Sequence, residues 1–234
     1  MHSEVNIDGI FVAAHELKAP LSLMRQLALS LDPTDPQEIE EYKDKLVSVS
    51  DRALRQVSDL AKVARLEDAL FEMEPVAVRG VCDEVTEELK YLFRFQEKSL
   101  KISYRNKQKL AVANRDLLHS IIYNFCVNAL KYSDKSQPSR LSVRDKTRGN
   151  QPTIRLEVRD FGPALPKDIY RKLARNELTA PTGISFRPDS SGLGLFIATK
   201  FARYMKANVG AVRHRDGTSF FIELPVSNQG TLFA

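Results

Sequence analysis

His15 is the first residue whose type and setting can do chemistry. It stands in the segment His15-Glu16-Leu17-Lys18-Ala19-Pro20-Leu21. Apolar or small residues at Ile7, Ile10, Ala14, Leu17, Leu21, Met24, Ala28 and Leu31 alternate steps of three and four, which is a heptad seam on a helix. His15 lies off that seam, so its imidazole is expected at the outer flank. A solvent-reachable neutral imidazole can attack a phosphoryl group. Glu16 can polarise the ring or take its proton. Pro20 removes a backbone donor and crowds the carbonyl of Glu16, so a bend is expected just beyond the histidine. The segment alone also fits a surface histidine on an amphipathic helix.

Three later segments hold groups suited to a polyphosphate and a base. Asn124 and Asn128 are four apart, so they share one face of a helix whose apolar side is Leu117, Leu118, Ile121, Ile122, Phe125 and Leu130. Such amides either bond within a core or ligate a metal–phosphate unit. Lys131 can reach phosphate, and the Tyr132 ring can lie on a base. Asp160-Phe161-Gly162 follows a predicted strand over 154–158. A carboxylate there can accept from an exocyclic amine, and Gly162 allows close approach. Alone, this tripeptide is an ordinary turn signal. Ser191-Gly192-Leu193-Gly194-Leu195 opens an apolar helix, which leaves backbone N–H groups free to meet phosphate. Without a following lysine it is not a P-loop. Gly217 and Thr218 sit in a predicted hairpin turn and have a purely structural reading as well.

The elements that must position these groups fall into two blocks. A second helix repeats the seam at Ile39, Tyr42, Leu46, Val49, Ala53, Val57, Leu60 and Val63, with Lys43, Lys45, Arg52, Arg55 and Asp59 on its other faces. Asp32-Pro33-Thr34-Asp35-Pro36 separates the two helices. A lone helical hairpin buries little, so pairing two into a dimeric four-helix bundle is expected. From Met73 onward, strands are predicted at 72–77, 100–104, 109–113, 139–146, 153–160, 209–215 and 218–225. Helices are predicted at 79–96, 114–133, 166–174 and 193–206. This pattern reads as an α+β domain of two layers with a largely antiparallel sheet. The domain bounds are 1–70 for the hairpin, 71–228 for the sheet domain and 229–234 for a tail. The stretch 174–191 has no clear period and reads as a functional loop.

Taken in order, the four segments resemble the catalytic core of sensor histidine kinases, from about Ile10 to Pro225. The first is similar to the phospho-acceptor box. Asn124 to Ser133 resembles the asparagine box, and Asp160-Phe161-Gly162 the first glycine box. The 191–195 segment resembles the second glycine box, and Asp216-Gly217-Thr218-Ser219-Phe220 the last. The resemblance implies a Bergerat-type α/β-sandwich that binds ATP and Mg²⁺, with His15 as acceptor and Glu16 as its helper. It implies Asn128 as the Mg²⁺ ligand, Lys131 on phosphate, Tyr132 near adenine and Asp160 on the adenine amine. Asn124, Gly162, Gly192, Leu193, Gly194 and Thr218 would complete the pocket. An amide at Asn124 cannot serve as a general base for hydrolysis, which favours transfer to His15. The implied partners are a second copy of the chain and the receiver domain of a separate response regulator.

Several positions depart from the family pattern. Ala19 replaces a residue that positions water for dephosphorylating the regulator, so weak phosphatase activity is expected. Ala164 replaces the second glycine of the first box, Arg215 the first glycine of the last, and Leu173 an aromatic of the lid. These changes keep two alternatives open: an ATP-binding pseudokinase or scaffold, and a nucleotide-hydrolysing switch of the same fold. The lid of that family pattern holds Arg171, Lys172, Arg175 and Arg187, any one of which can neutralise phosphate.

Composition is that of an ordinary globular chain of 234 residues, 43% hydrophobic and 28% charged. The net charge of +5 is interleaved with acids and reads as a solvated surface. No basic helix or aromatic–basic strand argues for nucleic acid. Cys82 and Cys126 lie in apolar patterns and read as buried, reduced thiols. No apolar run is long enough to span a bilayer and no signal peptide stands at the start. A cytoplasmic chain, or the cytoplasmic part of a membrane-bound sensor, is therefore expected. The short lead before His15 reads either as a truncated chain or as a kinase that receives its signal through another chain.

Overall fold

A computed structural model describes residues 7–30, 36–68, 70–105, 109–175, 177–178 and 192–228; for 7–16, 19 and 36–38 it describes the backbone alone. The described residues divide into two compact units. One holds the chain up to Asp68 with Gly192 and Leu193; the other holds the rest.

The first unit is built on α1 (Ile7–Ser30) and α2 (Pro36–Ala64). Pro36 is the first residue of α2, where a missing N–H costs nothing. Pro20 lies inside α1. The two helices contact each other. Seam residues Leu46, Val49, Leu60 and Val63 are half-buried and Ala53 is buried. Leu21 and Val57, also on the seams, stay 58% and 46% exposed. Val47 and Leu54, seven apart, are exposed as well. Asp59 corrects the amphipathic reading: it is only 3% exposed, with Lys62 Nζ 4.0 Å from its carboxylate. A carboxylate held near a cation one turn away can tolerate that setting.

The second unit runs β1 (Glu74–Val76), α3 (Val78–Phe95), β2 (Leu100–Arg105), β3 (Ala111–Ala113) and α4 (Arg115–Tyr132). It continues with β4 (Ser139–Arg148), β5 (Gln151–Arg159), α5 (Lys167–Ala174), α6 (Leu193–Tyr204), β6 (Asn208–His214) and β7 (Gly217–Pro225). Five strands form one sheet in the order β2-β4-β5-β7-β6, while β1 pairs with β3. All pairings are antiparallel except β2 with β4, which runs Leu100↔Ser139 to Arg105↔Arg144 in parallel.

Alternation builds the core. Leu141, Val143, Ile154, Leu156, Val158, Phe220, Ile222 and Leu224 point to one face and are buried. The apolar sides of α3 and α4 bury Val81, Val85, Leu89, Leu117, Ile121 and Phe125. Phe125 stacks on Phe220 with ring centroids 5.7 Å apart, and α4 contacts β4 and β5. The other sheet face carries a polar ladder across four strands. Arg144 and Arg155 each donate to Glu157 at 3.0 Å. Arg155 and Asn208 each donate to Glu223 at 2.9 Å. Arg155 also lies 3.5 Å over the Phe221 ring, so its charge is compensated on two sides.

Candidate nucleotide site

Helix α4 is capped at both ends, which fixes where its polar residues stand. Asn114 is the N-cap and its side chain accepts from Leu117 N at 3.1 Å. Ser133 is the C-cap. Between them, Asn124, Asn128, Lys131 and Tyr132 are all half-buried, at the edge of the α4 apolar face. The Asn124 amide donates to Ser120 O one turn back, at 2.9 Å. Asn128 makes no hydrogen bond from its carboxamide to another described residue. Lys131 Nζ lies 5.6 Å from the centroid of the Tyr132 ring.

Asp160 follows β5 directly and is 3% exposed. Its Oδ1 accepts from Thr218 N at 2.7 Å, and its own N–H donates to Thr218 O at 2.9 Å. Two bonds to Thr218 on β7 therefore fix Asp160, one through its carboxylate and one through its backbone N–H. Thr218 is itself buried, and its Oγ1 accepts from Leu165 N at 2.9 Å. Arg159 braces the same loop by donating to Asp160 O at 3.0 Å and to Asp216 at 2.7 Å. That guanidinium holds the Asp216 carboxyl below its usual range. Near it, burial and then the Arg159 charge push the His214 imidazole down.

Two glycines mark close approaches. A side chain at Gly162 would sit 1.9 Å from Tyr132 O, so the loop after Asp160 lies directly on the end of α4. A side chain at Gly194, in α6, would sit 2.7 Å from Asn124 Oδ1. Gly192 has φ +71°, the left-handed conformation that glycine adopts freely.

The sequence-predicted pocket residues thus meet in pairs within the second unit: Asp160 with Thr218, Gly162 with Tyr132, Gly194 with Asn124, and Lys131 with Tyr132. Asn128 stands one turn from Asn124 on the same helix. Gly192 and Leu193 group with the first unit. His15 and Glu16 lie in α1, and their side chains are outside the described residues. Lid cations Arg171, Lys172 and Arg175 are exposed in or beside α5, while Arg187 lies outside the described residues. Sequence reasoning missed Ser133 and Ser139, whose hydroxyls are 2.8 Å apart in the interior. Nothing in their spacing signalled the contact.

Residues 113–228 match the family of histidine kinase-, DNA gyrase B- and HSP90-like ATPases. The chain is 26% identical to the adaptive-response sensory kinase SasA of Synechocystis, over 91% of this chain and 57% of that one. This is a sensor histidine kinase catalytic core. Its sheet domain is an ATP-binding domain. The fold of the core is also that of ShkA in complex with AMPPNP, with a TM-score of 0.61, 21% identity and coverage of 93% of this chain and 44% of that one. It is likewise that of ThkA in complex with the response regulator TrrA, with a TM-score of 0.59, 14% identity and coverage of 93% and 61%. The core spans about three fifths, or less, of the length of the curated relatives it matches. Among its described residues, no helix is long and apolar enough to cross a membrane.

Proposed function

We propose that this core is a protein-histidine kinase that moves the γ-phosphoryl group of Mg-ATP to His15, then to an aspartate of a separate response regulator. The observation that carries the reading is Asp160. A buried carboxylate clamped by Thr218, beside a helix bearing Asn124 and Asn128, suits an adenine amine with the phosphates lying along the helix. The amide of Asn124 orients rather than deprotonates water, which favours transfer over hydrolysis.

Asn128 fits a Mg²⁺ role because its half-buried amide oxygen has no bond within the described protein. No cluster of three or more His, Cys, Asp or Glu stands among the described residues to hold a metal alone. Mg²⁺ commonly takes one or two protein oxygens and completes its shell with phosphate and water. When bound, it would neutralise phosphate charge. The chain's own contributions are positioning by Asp160, Thr218 and Lys131, and acceptance of the group at His15 with Glu16 taking the ring proton. The exposed apolar residues Leu21, Val47, Leu54 and Val57 support a homodimer through α1 and α2. The ThkA–TrrA complex supports a receiver domain as the second acceptor.

The test is incubation with γ-labelled ATP and Mg²⁺. Acid-labile, alkali-stable label is expected on the parent, and none on His15→Ala or Asn128→Ala. ATP binding without label would point to a scaffold. Phosphate release that survives His15→Ala would point to a hydrolysing switch.

A further inference from the structure

Three consecutive residues at the end of α4 are zipped to the loop that carries Asp160. Tyr132 O lies against Gly162 so closely that no side chain fits there. Ser133 Oγ accepts from Phe161 N at 3.0 Å. Asp134 N donates to Phe161 O at 2.8 Å. Ser133 is 4% exposed, and its hydroxyl also meets Ser139 Oγ, the first residue of β4, at 2.8 Å. Ser139 is 1% exposed and its N–H donates to Ser99 O at 2.9 Å.

A hydroxyl has one donor and two acceptor sites. Ser133 uses an acceptor site on Phe161 and exchanges a second bond with Ser139. Asp160 is therefore held from two directions. Thr218 fixes its carboxylate from β7, and Ser133 fixes the next peptide from α4. The α4 side of that joint carries Asn124, Asn128 and Lys131; the other side carries the carboxylate.

We propose that Ser133 is a positioning residue that sets Asp160 relative to α4, and so couples recognition of the adenine amine to recognition of the phosphates. The inference rests on the reading of Asp160 given above. Removing the hydroxyl strands the buried Phe161 N–H and leaves Ser139 without its partner. The loop then gains freedom, and the bond from the base to Asp160 loses its direction, while contacts to the triphosphate remain.

Titration calorimetry with ATP and with inosine triphosphate, which lacks the amine, tests this on the whole chain. A merely structural role lowers the folded fraction but leaves the ratio of the two affinities unchanged. Ser133→Ala is expected to lose about tenfold of the parent's preference for ATP, the scale of one hydrogen bond to a charged group. Ser139→Ala, which removes only the outer member, is expected to lose about threefold, and it carries the same test if Ser133→Ala does not fold. A parent that prefers ATP, with the ratio unchanged in the variants, would overturn the proposal alone. A parent that binds both nucleotides alike would overturn the reading of Asp160, and this proposal with it.

Discussion

Among the described side chains of α1 and α2, Ala53 is the one buried apolar residue, whereas the sheet domain buries apolar side chains on α3, α4, α5, α6 and five strands. The helices keep Leu21, Leu29, Val47 and Leu54 more than half exposed. One region completes its own core, and the other leaves apolar surface for something else to cover. The candidate nucleotide-pocket residues sit on the completed core, where buried hydrogen bonds fix Asp160 and α4. His15, the proposed acceptor, sits on the region whose surface is unfinished. A rigid pocket and a separately assembled acceptor suit a reaction in which the phosphoryl donor must be held firmly and the acceptor must be reached.

Breaking the completed core has the largest expected effect. Phe125→Ala removes a fully buried ring stacked on Phe220, and should cost about 3–5 kcal/mol in denaturant unfolding of the sheet domain. Gly162→Ala tests the joint between the core and the pocket. Its methyl would overlap Tyr132 O, a backbone atom that cannot turn aside. A loss of about 1–3 kcal/mol is expected, with weaker ATP binding in calorimetry. Leu54→Lys sharpens the comparison from the other side. At 64% exposure, it should change protomer stability by no more than about 0.5 kcal/mol, yet shift sedimentation toward monomer.

The smallest effect is a pH dependence. His214 is pushed below its ordinary value by burial and by Arg159. The unfolded chain therefore binds the proton more readily, and stability falls with acidification. The contribution is complete above about pH 6.5, the ordinary histidine value, and fades as pH drops through the lower folded value. His214→Gln should flatten that part of a melting-temperature profile.

Much of the sheet domain was legible because strict alternation in β4, β5 and β7 leaves no doubt about which residues face inward. The parallel pairing of β2 with β4 was not legible, since alternation reports faces and not neighbours. Asn124, Asn128 and Asp160 were readable as candidate pocket residues once type and spacing were joined to the family resemblance. Ser133 was not, because its partners Ser139 and Phe161 come together only when α4, β4 and the loop after β5 converge. Asp59 misled for the opposite reason: its helical position reads as solvated, yet packing buries it.

In the proposed reaction the sheet domain holds the nucleotide and the helical region accepts the phosphoryl group. The most direct test measures ATP affinity and acid-labile label in the same samples of parent, His15→Ala and Asp160→Ala. His15→Ala is expected to bind ATP as the parent does and to take no label. Asp160→Ala is expected to lose about a hundredfold in affinity, the upper range for a hydrogen bond to a charged group, and to lose label with it. Label persisting on His15→Ala, or ATP affinity unchanged in Asp160→Ala, would contradict that division of roles.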